Sequence, residues 1–132
     1  MEIRALDHVQ LAIPPGGEAE GRRFYGELLG LVEVAKPEAM RARGGAWFHG
    51  VGVIVHLGVE KDFRPARKAH PAFVVADLEV CRRELEAAGV EVRVVEGPAG
   101  GLGERFHCFD PFGNRLEFIR DGDGFSQRAA EG

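Results

Sequence analysis

Four side chains in this 132-residue chain stand out by type and spacing: His8, His56, His70 and Glu117. They occur in "LDHVQLAI", "GVIVHL", "HPAFVV" and "NRLEFI", each inside or opening a run of apolar residues. The interval from His8 to His70 matches that from His56 to Glu117 to within one residue. Two repeat-equivalent pairs follow. Imidazole nitrogen and carboxylate oxygen bind divalent first-row metals, and two His with one carboxylate leave positions open for a substrate. With His56 as a fourth ligand the set suits Zn, Ni, Co, Mn or Fe. His56 alternatively orients a bound water or substrate. An unpaired buried carboxylate is costly, and a dication removes that cost. Each His taken singly is more often hydrogen-bonded or solvent-facing than a ligand, so the matched placement carries the reading.

The elements that position these residues recur in order. Leu6–Ile13 alternates, with Val9, Leu11 and Ile13 on one face and His8, Gln10 and Ala12 on the other. Glu18–Leu29 reads as a helix stopped by Gly30 and weakened by Gly21 and Gly26. Leu31–Ala35 is a short strand, and Gly44–Glu60 is two strands hinged near Gly50–Gly52. The second copy has a strand at His70–Val75, then a helix at Leu78–Ala88 with Asp77 as N-cap and Gly89 as its stop. Strands at Val90–Val95, "RFHCF" and "NRLEFI" follow, the last two joined by a type I turn at "DPFGN". The expected fold is α+β: two βαβββ modules forming a curled mixed sheet around a metal cup, helices on the outside. One domain of residues 1–132 is expected, with modules at about 3–60 and 68–120 and a frayed tail at 121–132. Strand parity sends all four polar residues to the face opposite the apolar set. His49 and His107 each follow a Phe and read as repeat-equivalent residues of structural or substrate-rim role.

Composition excludes several classes. Hydrophobic residues at 45% and charged residues at 29% describe a globular chain rather than a disordered one. A net charge of −4 argues against a nucleic-acid binder. No apolar run has the length of a membrane span, Met1–Leu6 does not read as a signal peptide, and a cytoplasmic location is expected. Cys81 and Cys108 lack CxxC spacing and read as free thiols. "GPAGGLG" (Gly97–Gly103) lacks the ending of a phosphate loop and reads as a lid.

From Leu6 to Ile119 the chain resembles the vicinal oxygen chelate superfamily, on "LDHVQLAI", "FYGELLGL", "HPAFVVADLEVCRRELEAAGVEV" and "RFHCFDPFGNRLEFI". That superfamily includes glyoxalase I, fosfomycin-resistance thiol transferases, extradiol dioxygenases, methylmalonyl-CoA epimerase and bleomycin-binding proteins. The resemblance implies metal ligands at His8, His70 and Glu117. It puts a fourth-strand ligand on His56, where bacterial glyoxalase I has Glu and the epimerase Gln. Ala12 and Glu60 stand where glyoxalase I has an Arg and an Asn, so its glutathione site is not carried over. Gln10 and Ser126 stand where the fosfomycin transferases have a Thr and an Arg.

The implied function is a metal-dependent lyase, isomerase or oxygenase of glyoxalase type. Its small substrate would chelate the metal through adjacent oxygens, with Glu117 doubling as general base. Arg105, Arg64, Lys68 and Gln10 are the candidate substrate-binding residues, and Arg suits a carboxylate or similar anion. The alternative is a non-catalytic drug- or metabolite-binding protein of the bleomycin-resistance kind. A homodimer is implied as well.

Overall fold

The first strand, β1 (Val9–Ile13), buries Leu11 and Ile13 and leaves Gln10 exposed, as its alternation requires. The computed structural model describes residues 1–95 and 104–122. The lid expected at Gly97–Gly103, Ser126 and most of the expected tail lie outside the described residues. Clustering of contacts divides the chain into two units. One is Met1–Ala66 with Pro111–Asn114; the other comprises the described residues within Arg67–Asp110 and Arg115–Gly132.

In the first unit a helical turn, α1 (Glu18–Gly21), runs on into a π-helical segment, Arg22–Leu28. Then come β2 (Val32–Val34), a one-turn helix α2 (Glu38–Arg41), β3 (Ala46–Gly50) and β4 (Val53–Val59). The sheet order is β1-β4-β3-β2, with β1 parallel to β4 and the other pairs antiparallel. Gly21 and Gly26, poor helix formers, lie where the helix faces Leu57 of β4 and Phe48 of β3. A Cβ at Gly21 would stand 2.6 Å from Leu57 Cδ1, and one at Gly26 would stand 3.4 Å from Phe48 Cε1. The propensity they forgo is a close approach gained. Leu11, Ile13, Phe24, Tyr25, Phe48, Val55 and Leu57 form the buried set. Burial of each large side chain stabilises by about 1.5–3 kcal/mol.

The second unit repeats the plan with β5 (Ala72–Val75), α3 (Leu78–Ala87), β6 (Arg93–Val95), β7 (Arg105–Phe109) and β8 (Arg115–Arg120), in sheet order β5-β8-β7-β6. The Asp77 side chain accepts from the Val80 N–H at 3.1 Å. The helix closes on Gly89 (φ 84°), with the Val90 N–H reaching the Leu85 carbonyl at 2.9 Å. That is the left-handed stop its Gly signals. Leu78, Leu85, Phe106, Cys108, Leu116, Phe118 and Ile119 are buried, the Phe106 and Phe118 rings stacked at 5.2 Å.

Four strands are shorter than their sequence patterns, β2 losing one residue at each end of Leu31–Ala35. β1 begins at Val9, so His8 sits just ahead of it. β5 begins at Ala72 because Pro71 has no N–H for the ladder; its carbonyl still accepts from the Glu117 N–H at 3.1 Å. β6 keeps only Arg93–Val95 of the expected Val90–Val95. The helix α2 lies in a stretch with no apolar periodicity to announce it.

Candidate functional site

β8 is where the second unit concentrates polar chemistry. Leu116 and Phe118 are buried on one face of the strand, and Glu117, itself 7% exposed, projects from the other. The β7–β8 hairpin sets Glu117 directly opposite His107. Glu117 Oε1 lies 2.8 Å from His107 Nε2 and 3.0 Å from His70 Nε2. Arg105 Nε stands 3.7 Å from the other oxygen, Oε2. Burial alone would raise the Glu117 pKa, but the hydrogen bonds and charge of His107 and His70 outweigh it and hold the carboxyl below its usual range.

The rings are held from behind. His70 Nδ1 lies 2.7 Å from the Lys68 carbonyl. A carbonyl only accepts, so the Nδ1 proton is fixed there and Nε2 is turned to the carboxylate. Metal-binding imidazoles are commonly oriented in this way by a backbone carbonyl. His107 Nδ1 lies 2.9 Å from Arg115 Nη2. One ligand atom from each of His70, His107 and Glu117 can be chosen so that all lie within 4.8 Å of one another. The donor types and their spacing fit a divalent cation.

The first unit holds the other two expected ligands. His56, on β4 and 8% exposed, pairs across the ladder with Trp47 and with Gln10. Trp47 stacks on one side of its ring, centroids 3.9 Å apart and planes 2° from parallel. His8 stacks on it at 4.2 Å and 27°. Burial pushes the His56 pKa down, and the neighbouring His8 and His49 push it further. The His8 Nδ1 lies 2.8 Å from Asp7 Oδ2.

The substrate-binding candidates divide. Arg105 is mostly buried, and its Nη1 is enclosed without a hydrogen-bond partner among the described residues. Lys68 is exposed and meets the site through its backbone carbonyl. Arg64 is exposed, its N–H 3.4 Å from Glu60 Oε1. Gln10 is exposed beside His56 on the ladder.

The structure sets His107 against Glu117, and it corrects the expectation that His107 is the repeat partner of His49. His107 opposes Glu117 as Trp47 opposes His56, whereas His49 pairs with Ile54 and Val32. Counting outward from the "DPFGN" turn, Phe109 meets Arg115 and His107 meets Glu117. That count was available from the sequence. The thiols of Cys81 and Cys108 are free, and burial, with Asp110, pushes that of Cys108 up to about 12.

The family model described as the Glyoxalase/Bleomycin resistance protein/Dioxygenase superfamily matches residues 5–118. The chain belongs to that superfamily. Within it, a glyoxalase family protein from Bacillus anthracis is 43% identical with a TM-score of 0.85, over 92% of this chain and 98% of that one. A protein named Glyoxylase I 4 from Arabidopsis thaliana is 26% identical over 89% of this chain and 71% of its own length. A mutant FosX from Listeria monocytogenes, solved with Mn(II) and 1S,2S-dihydroxypropylphosphonic acid, shares the fold at 16% identity. Its TM-score is 0.75, over 98% of this chain and 99% of that one. No helix among the described residues is long and apolar enough to cross a membrane.

Proposed function

We propose that this superfamily member is a metal-dependent enzyme acting on a small anionic substrate that presents two adjacent oxygens. The observation that carries the proposal is the His70–Glu117 pair, an imidazole with its Nδ1 proton tied to a carbonyl and its Nε2 3.0 Å from an ionised carboxylate. His70 and Glu117 would hold a divalent ion of the Zn, Ni, Co, Mn or Fe group. His8 and His56 are candidate ligands on the strength of the repeat. When bound, the ion supplies Lewis acidity to a substrate oxygen.

The protein's own groups supply the rest. His107 Nε2 lies 2.8 Å from Glu117 Oε1, so a proton taken from substrate would go to Oε2. The carboxyl is kept ionised against its burial, as a base must be before it accepts a proton. Arg105, whose Nη1 has no hydrogen-bond partner among the described residues, would bind the acidic end of the substrate.

The test is turnover of a panel of hemithioacetals and catechols by protein loaded with each of the five ions. Activity with at least one ion, lost on chelation and restored by that ion, is expected. Tight binding of a panel compound that survives chelation, with no turnover under any ion, would instead favour the metabolite-binding alternative.

A further inference from the structure

His70, His107 and Glu117 lie close enough to share one ion, and His107 would pass for a third ligand. Its hydrogen bonds assign it a different part. A guanidinium donates and never accepts. With Arg115 Nη2 2.9 Å from His107 Nδ1, that nitrogen must present a lone pair. The proton of the neutral ring is then on Nε2, the atom 2.8 Å from Glu117 Oε1. A nitrogen carrying a proton toward a carboxylate has no lone pair for a metal.

The two imidazoles on Glu117 are therefore wired in opposite senses. His70 has one proton drawn to Nδ1 by the Lys68 carbonyl, so an ion would take the place of the Nε2 proton that the metal-free ring shares with Glu117. His107 has its Nδ1 lone pair taken by Arg115, placing a proton on Nε2. All of these contacts lie in one unit, and Arg115 and Glu117 share a strand face two residues apart.

We infer that His107 is a positioning residue: locked by Arg115 as the Nε2–H tautomer, it clamps Glu117 Oε1 and leaves Oε2 to work. The inference rests on the metal-site reading for its purpose but not for its geometry. It also separates this site from a plain carboxylate ligand, since the chain spends a His and an Arg on aiming one oxygen.

Two measurements test it. The first is long-range ¹H–¹⁵N correlation of the His side chains in metal-free protein, at a pH of about 8.5, above the ordinary imidazole range. A bare Nδ1 and a protonated Nε2 on His107 are expected, and a population of the other tautomer in Arg115→Met. Finding Nδ1–H in the unaltered protein would overturn the inference.

The second is Co(II) titration followed by visible absorption. His107→Phe and Arg115→Met should each weaken Co(II) binding by about 10- to 100-fold, the usual cost of losing a group that orients a metal ligand. His107→Gln, whose amide can still donate to Oε1, should bind within a few-fold of the unaltered protein and keep its band positions. If His107→Gln loses affinity as His107→Phe does and its bands move, His107 is a ligand and the inference is wrong. If His107→Phe and Arg115→Met bind Co(II) unchanged, positioning is refuted. If the unaltered protein takes up no Co(II) or other ion of the group, the metal reading fails, and the tautomer measurement alone decides whether His107 clamps Glu117.

Discussion

Trp47 lies flat on His56, ring centroids 3.9 Å apart and planes 2° from parallel, and His8 stacks on the same imidazole at 4.2 Å. The stacked rings restrict approach to the His56 faces and favour contact in the ring plane, where its nitrogens are. Trp47 is the only tryptophan in the protein, so its emission reports on this stack. An imidazolium quenches an adjacent indole. Emission should fall on acidification with a midpoint below the ordinary His value of 6.5, because burial and then the charges of His8 and His49 disfavour the protonated ring. The fall should disappear in His56→Gln. A midpoint at or above 6.5 would contradict the burial and field described for the ring.

Stability should follow pH in two windows. His56 has a folded pKa below 6.5, so between those values the unfolded chain holds more protons. Stability therefore rises with pH through that window, is full above it, and is reduced below it. Glu117 has a folded pKa below 4.5; its contribution is present above 4.5 and is lost as pH falls through the folded value. Denaturant unfolding of metal-free protein from pH 8 to pH 3 should show both losses. His56→Gln should flatten the first and Glu117→Gln the second. A variant that leaves its own window unchanged would show that the group titrates alike in both states.

The sequence went furthest where period and repeat reinforce each other. The patterns of Leu6–Ile13 and Asn114–Ile119, and the Gly stops after both helices, indicated elements that the structure contains. His70 and Glu117 were legible as candidates because each has a repeat partner at a matched interval, His8 and His56, and the structure brings His70 and Glu117 together. The contact of His107 with Glu117 was missed because its neighbour in sequence was weighed above its neighbour across the hairpin. The role of the Lys68 carbonyl was out of reach, since a backbone group leaves no mark on residue type. Strand starts at β1 and β5 also escaped the pattern, because side-chain alternation continues past the last residue that can join a ladder.

Gly45 and Gly89 separate two ways a glycine can be required. Both have positive φ, 84° in each. A Cβ at Gly45 would lie 2.0 Å from the Leu57 carbonyl oxygen, whereas one at Gly89 meets nothing within 4 Å. Gly89→Ala should cost only the left-handed strain, about 1 kcal/mol. Gly45→Ala adds a clash with backbone that has nowhere to go, and should cost about 3 kcal/mol or more. Equal midpoints for the two variants in denaturant unfolding would contradict this contrast.

Glu117 and His70 are read as ligands of one divalent ion. Equilibrium dialysis against Mn(II), Fe(II), Co(II), Ni(II) and Zn(II), with elemental analysis of the retained protein, tests that reading most directly. About one tightly held ion per chain is expected for at least one metal, and its loss in both Glu117→Ala and His70→Ala with the fold intact by circular dichroism. Absence of stoichiometric uptake for all five ions, or uptake that survives both substitutions, would contradict it.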